Sequence, residues 1–193
     1  MEFLTQKPAT KRPAIVAAAT ALFARKGIDA TSMREVAESA GVREAAIYRH
    51  FRGKDEMARE IFENWYGWYT RQLREVAEEE GPLQKKIRAL VRIEFEAART
   101  YPEEFLYFCE NEARFLRSLG RDIPRIRQEL IRMLRKGQAA GEVRSGDAGL
   151  LADMLSGALC GAAISAIMRK DLQMLESEEP AAESCWQMLS RNR

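Results

Sequence analysis

The chain has 193 residues, 46% hydrophobic and 31% charged, which is the balance of a soluble globular protein with room for a full core in one or two small domains. It has no repeat, no low-complexity stretch and no Val/Ile/Thr alternation of strand length, and Cys109, Cys160 and Cys185 are too scattered for a disulfide framework. The net charge of +2 conceals an asymmetry: residues 1–55 hold ten Lys/Arg against six Asp/Glu, so the head is mildly basic and the remainder mildly acidic.

Residues 1–10 read as a flexible arm, and residues 11–26 predict a first helix with Ile15, Ala19, Leu22 and Phe23 turned inward and Gly27 after it. Next comes a pair of short helices around one glycine. Ser32 with Glu35 three residues on predicts a capping box, and Met33, Val36, Ala37 and Ala40 then mark one buried face. Gly41 occupies the position suited to a left-handed turn residue. In the second short helix Ile47 and Phe51 point one way, while Glu44, Ala45, Tyr48 and Arg49 point the other. This is the outline of a helix-turn-helix, whose second helix fits the DNA major groove.

A long fourth helix is expected over residues 54–80, stopped by Gly81-Pro82, then a fifth over 83–99 and a sixth from Pro102, where Glu103 and Glu104 suit the helix dipole. A seventh is expected from Ile123 to before Gly141, with Ile126, Leu130, Met133 and Leu134 on one stripe. Asp147 is a plausible N-cap for an eighth helix reaching Lys170, apolar on nearly every side and therefore expected to be buried all round. Asp153, the glycines and the small residues of 149–168 argue for a buried soluble helix over a membrane span, and hence for a reducing cytoplasm. A ninth, from Pro180, places Ala182, Cys185, Trp186 and Leu189 on one face.

The fold class expected is all-α: a three-helix head at 11–53 and a helical domain at 54–193, about nine helices in all. His50 is the single histidine, which speaks against a metal centre and removes any Ser-His-Asp or Cys-His arrangement. No glycine-rich phosphate loop is present and no cofactor is implied. Two carboxylates stand inside apolar stripes: Glu94 among Ile87, Leu90, Val91 and Ala98, and Glu112 among Phe105, Phe108, Cys109, Phe115 and Leu116. Either an arginine such as Arg88, Arg92 or Arg114 answers them, or they line a ligand cavity walled by Trp65, Trp68, Tyr69, Phe105 and Phe108.

The segment from Ile15 to Met57 resembles the DNA-binding domain of the TetR family of bacterial transcriptional regulators. The resemblance lies in Ala19-x-x-Leu22-Phe23, Gly27, the run from Thr31 to Ala37, Gly41-Val42, the run from Ile47 to Phe51 and Lys54-Asp55-Glu56-Met57. It covers about a quarter of the chain; the rest agrees in helical layout alone. One departure is Arg43, where the family usually has a small capping residue after Gly-Val.

The resemblance implies that Tyr48, His50 and Lys54, helped by Ser32 or Thr31, hold the phosphate backbone. Arg34, Arg43, Glu44, Ala45 and Ala46 are the candidates for base edges, joined on the outward face by Arg49. Arg34 is open between base and phosphate, and Arg43 with Glu44 has the alternative of an exposed ion pair. The resemblance further implies a homodimer built on the eighth and ninth helices, with Gly157 and Gly161 allowing close approach and Leu155, Leu159, Trp186 and Leu189 supplying area. The partners expected are a palindromic double-stranded DNA operator, a small largely apolar effector and a second copy of the chain, with no membrane. Repression is the implied mechanism and activation the alternative in the same family. The rivals from other classes are a helical enzyme and an adaptor that uses the helix-turn-helix as a protein surface.

Overall fold

The computed structural model describes residues 11–120 and 125–191, so the expected arm at 1–10 lies outside the described residues. The fold is all-α. Its elements are α1 (Arg12–Lys26), α2 (Met33–Ser39), α3 (Glu44–Ile47), α4 (Lys54–Glu78), α5 (Leu83–Thr100), α6 (Pro102–Phe115), α7 (Ile126–Ala139), α8 (Ala148–Arg169) and α9 (Glu178–Leu189). A 3-10 turn at Leu172–Glu176, not expected from the sequence, precedes α9. The expected start of α7 at Ile123 falls on undescribed residues; the helix is seen from Ile126.

Two packing units emerge: Met1–Trp68 with Glu103–Leu119, and Tyr69–Pro102 with Gly120–Arg193. This is a different cut from the functional division expected at 53/54, because the first half of α4 and nearly all of α6 pack with the head. In that first unit Ile15, Ala19, Phe23, Val36, Ile47, Phe51, Met57 and Phe62 are buried. Tyr107 of α6 is what ties that helix down: its ring stacks on Phe23 with centroids 5.9 Å apart, and its hydroxyl donates to the Ala58 carbonyl oxygen at 2.6 Å. Burial holds the Tyr107 phenol well above its usual range, so it remains a donor. Phe62 lies 5.4 Å from both Phe108 and Phe115, which continues the aromatic core along α6.

The second unit packs α5 against α8 and α9, and α7 against α8. The stripe predicted on α5 is its buried face, Glu94 included. Pro82 cannot cap α5 with a side chain; instead Glu142, from a distant turn, accepts the Leu83 N–H at 2.8 Å and brings its charge to the positive helix end. Asp147 caps α8 as expected, accepting from the Leu150 N–H at 2.8 Å. Gly137 of α7 is needed for close approach, since a Cβ there would meet Leu83 Cδ2 at 2.5 Å and Val143 Cγ2 at 2.8 Å.

One expectation is overturned within the chain: α8 is not covered on every side. Leu151, Ala152, Leu155, Leu159, Ala163 and Ala166 are buried, whereas Leu150, Met154 and Met168 are 59%, 41% and 69% exposed. By length and composition α8 is apolar enough to cross a membrane, with a mean hydropathy of 1.8 over its most apolar window, but one of its faces is committed to α5 and α7.

Candidate nucleic-acid interface

The local chemistry of α2 sets the frame. Ser32 Oγ accepts from the Glu35 N–H at 3.2 Å while Glu35 Oε2 accepts from the Ser32 N–H at 2.8 Å, so the capping box is complete. The Lys26 ammonium donates to the other Glu35 oxygen at 2.5 Å. Lys26 first, and the Ser32 backbone and hydroxyl after it, pull the Glu35 carboxyl down to about 2 from the ordinary 4.5. At the far end Gly41 takes φ 63°, and its N–H with that of Val42 returns to Glu38 and Ala37 oxygens at 3.2 and 3.0 Å.

The second helix is shorter than the sequence outline suggests. α3 holds four residues, starts from Arg43 without any side-chain cap, and continues as a turn in which the His50 and Phe51 N–H groups both donate to the Ile47 oxygen. The absent cap agrees with the departure noted at Arg43. Ile47 and Phe51 are 0% and 2% exposed and anchor the element, with the Arg12 guanidinium 5.0 Å above the Phe51 ring and also paired with Glu60. Glu44, Ala45, Tyr48 and Arg49 are exposed together on the opposite side, Tyr48 at 53%.

Ala46 must be withdrawn from the base-reading set. It is 5% exposed, because in so short a helix it shares the inward side with Ile47, and its methyl has no free surface for a thymine. Arg43 remains exposed beside Glu44, and Arg34 is exposed but engaged with Glu38 at 2.9 Å. Ser32 is engaged in the cap, and Thr31 is buried with its hydroxyl donating to the Gly27 oxygen at 2.8 Å. Lys54 has a role that the sequence did not suggest: its ammonium donates to the Asp29 and Thr31 oxygens at 2.8 and 3.2 Å, pinning the loop before α2 to the start of α4. Arg114 of α6 reaches the same place, within 3.4 Å of Asp29 and 3.3 Å of Asp55. His50 is half-buried, and Arg52, two residues on, is an exposed cation that the charge of the run 49–54 already advertised.

The expected ligand-facing residues divide between the two packing units. Trp65, Trp68, Phe105, Phe108 and Glu112 belong to the first, Tyr69 and Glu94 to the second. In the first, Trp65 lies 5.3 Å from Trp68 and 6.3 Å from Phe108, centroid to centroid. Sequence reasoning missed Glu104, assigned there to the helix dipole alone. Glu104, Phe108 and Glu112 follow one another at four-residue steps along α6, and burial pushes both carboxyls above their usual range. Of the arginines considered as partners, Arg88 pairs with Glu179 at 3.0 Å and Arg114 with the two aspartates. Glu94 is 7% exposed within the core of its own unit.

The expected dimer residues also divide. Gly157 and Gly161 face outward, where an added Cβ meets nothing within 4 Å. Leu155, Leu159 and Leu189 are 1%, 5% and 0% exposed and are already part of the subunit's own core, so they have no area to give a partner. Trp186 is half-buried. Leu150, Met154 and Met168 supply the outward apolar area instead.

Comparison with known proteins adds to this geometry. Residues 15–61 match the model of "Bacterial regulatory proteins, tetR family". The transcriptional repressor KstR2 of Mycolicibacterium smegmatis is 29% identical over 91 residues, 47% of this chain and 44% of that protein. KstR2 of Mycobacterium tuberculosis strain H37Rv is 27% identical over 112 residues, 58% of this chain and 56% of that one. The match thus spans about half the length of these relatives. Among solved structures, KstR2 of Mycobacterium tuberculosis superposes with a TM-score of 0.74 at 18% identity, covering 96% of this chain and 98% of that one. The transcriptional regulator FadR of Bacillus subtilis, in complex with stearoyl-CoA, gives 0.73 at 17% identity over 91% and 97%. At such identity these likenesses establish the shared all-helical fold. The capped α2, the left-handed Gly41 and the outward-facing α3 all lie inside the segment that matches the tetR-family model, residues 15–61.

Proposed function

We propose that this protein is a ligand-responsive transcriptional repressor that binds a palindromic operator as a homodimer. One observation carries the reading: α3 rests on buried Ile47 and Phe51 and turns Glu44, Ala45, Tyr48 and Arg49 together into solvent. A polar, partly aromatic helix face held rigidly by its neighbours suits base edges and phosphates. Arg43 and Glu44 read bases, Arg34 stands at the edge of that face, and Tyr48, Arg49, His50 and Arg52 hold phosphates. Lys54 and Ser32 act one step back, by fixing the loop and helix that present the rest. The names of the relatives, repressors among them, support the same assignment.

Dimerisation joins two such heads through the outward face of α8, where Leu150, Met154 and Met168 flank Gly157 and Gly161. The effector is a small, largely apolar molecule received near Trp65, Trp68 and Phe108, with Glu112 available for a hydrogen bond or a cationic group. Neighbours of the same fold that regulate ketosteroid and fatty-acid functions fit an apolar effector. Repression follows from operator occupancy; effector binding then shifts α4 and α6 and alters the spacing of the heads.

Selection from a random duplex pool tests the proposal. The expected product is an inverted repeat whose half-sites are about one helical turn, roughly 34–36 Å, apart or a multiple of it. Failure to enrich any sequence, or enrichment of a single unrepeated site, would contradict it.

A further inference from the structure

We infer that the outward face of α7 is a binding site for a small phosphate ester, seated on Arg132, Arg135 and Lys136. This surface is unrelated to the helix-turn-helix and was not singled out by the sequence. Its lining comes from α7 alone, so it is an open face of one helix that a ligand would meet from solvent. Arg132, Arg135 and Lys136 stand at i, i+3 and i+4, so their side chains converge on one patch of the helix surface. The two long side chains at 132 and 136 also line a smaller adjoining cleft with Arg74 and Glu129.

The charges on this face are not mutually cancelled. Arg127 is engaged by Asp153 through two bonds of 2.7 and 3.0 Å, and Arg132 by Glu129 at 2.9 Å. Glu129 is only 4% exposed and lies 4.0 Å from Arg74, so it is a fixed carboxylate that aims the Arg132 guanidinium along the helix surface. Arg135 and Lys136 are exposed and have no acidic partner among the described residues. A preset guanidinium flanked by two uncommitted cations matches a phosphate monoester in both charge and donor geometry. Half-buried Ile131, between Arg127 and Arg135 on the same row, gives the organic part of the ester an apolar seat. That feature favours an ester over inorganic phosphate.

Titration of the full-length protein, followed residue by residue in nitrogen–proton correlation spectra, tests this with hexyl phosphate as the probe. Saturable shifts confined to α7 are expected, with inorganic phosphate weaker and hexanol inert. Arg135→Gln with Lys136→Gln, both on exposed positions, is expected to weaken hexyl phosphate at least about tenfold at unchanged thermal midpoint. Arg135→Lys with Lys136→Arg keeps the charges and is expected to retain most of the binding. No saturation by about 10 mM, shifts elsewhere, equal affinity for inorganic phosphate, or undiminished binding by the glutamine pair would each overturn the inference. So would an equal loss of duplex affinity in that pair, which would assign the face to nucleic acid. Operator binding measured without phosphate reads the repressor proposal separately.

Discussion

Ser32, Glu35 and Lys26 form a closed set of contacts at the start of α2, and each member has a measurable consequence. Ser32→Ala removes the acceptor for the Glu35 N–H and is expected to cost about 1 kcal/mol in urea unfolding. The carboxyl of Glu35 is lowered in the folded state, so its contribution is fully present above the ordinary 4.5 and is lost as pH falls toward about 2. Glu35→Gln should therefore flatten the acid limb of the stability curve between those values; an unchanged limb would show that the cap carries no linkage. This corner was legible in the sequence, because a capping box needs only two residue types at one spacing. Lys54 was not, since its partners are carbonyl oxygens, and no side-chain pattern announces a carbonyl left open by a loop. Ala46 was misplaced for a related reason: in a helix of four residues, the inward direction is set by the chain entering from Gly41 and leaving at Phe51.

Among the elements, α5 and α7 show how far periodicity reaches. Their stripes were readable, and the buried faces coincide with them, because each helix has one apolar and one polar side. On α8 almost every position is apolar or small, so the sequence holds no phase. Contacts with α5 and α7 decide it, turning Leu155 and Leu159 inward and leaving Leu150, Met154, Gly157, Gly161 and Met168 outward. Gly137 is a second feature invisible to pattern reading, as the reason for it lies in Leu83 and Val143. Gly137→Ala forces both side chains aside and is expected to destabilise the protein by about 1–3 kcal/mol in thermal or urea unfolding. A neutral or stabilising result, as helix propensity alone would give, would mean that the contact relaxes freely.

At the scale of the whole molecule, the outward face of α8 is the clearest place for a second subunit. Gly161→Leu should shift the protein toward monomer in sedimentation at micromolar concentration and weaken operator binding with it, since two linked heads bind far better than one. A variant that stayed dimeric would move the interface elsewhere. The acidic positions are tested by Glu112→Gln and Glu94→Gln. Burial raises the Glu112 carboxyl, so its ionised form opposes folding at high pH and that cost is relieved as pH falls. Glu112→Gln should accordingly leave folding and DNA binding nearly intact at neutral pH while changing the response to effector. A loss of about 3–5 kcal/mol from either substitution would instead mark that carboxylate as half of a structural ion pair.

The regulator reading stands or falls on whether α3 discriminates sequence. The most direct measurement is an equilibrium competition between the selected operator and random duplex at roughly 150 mM salt, for the natural protein and for Glu44→Ala and Tyr48→Ala. The operator is expected to win by about 10³-fold or more, Glu44→Ala to shrink this ratio, and Tyr48→Ala to weaken both duplexes alike. Equal competition by random duplex, or a ratio indifferent to Glu44, would mean that α3 does not read sequence.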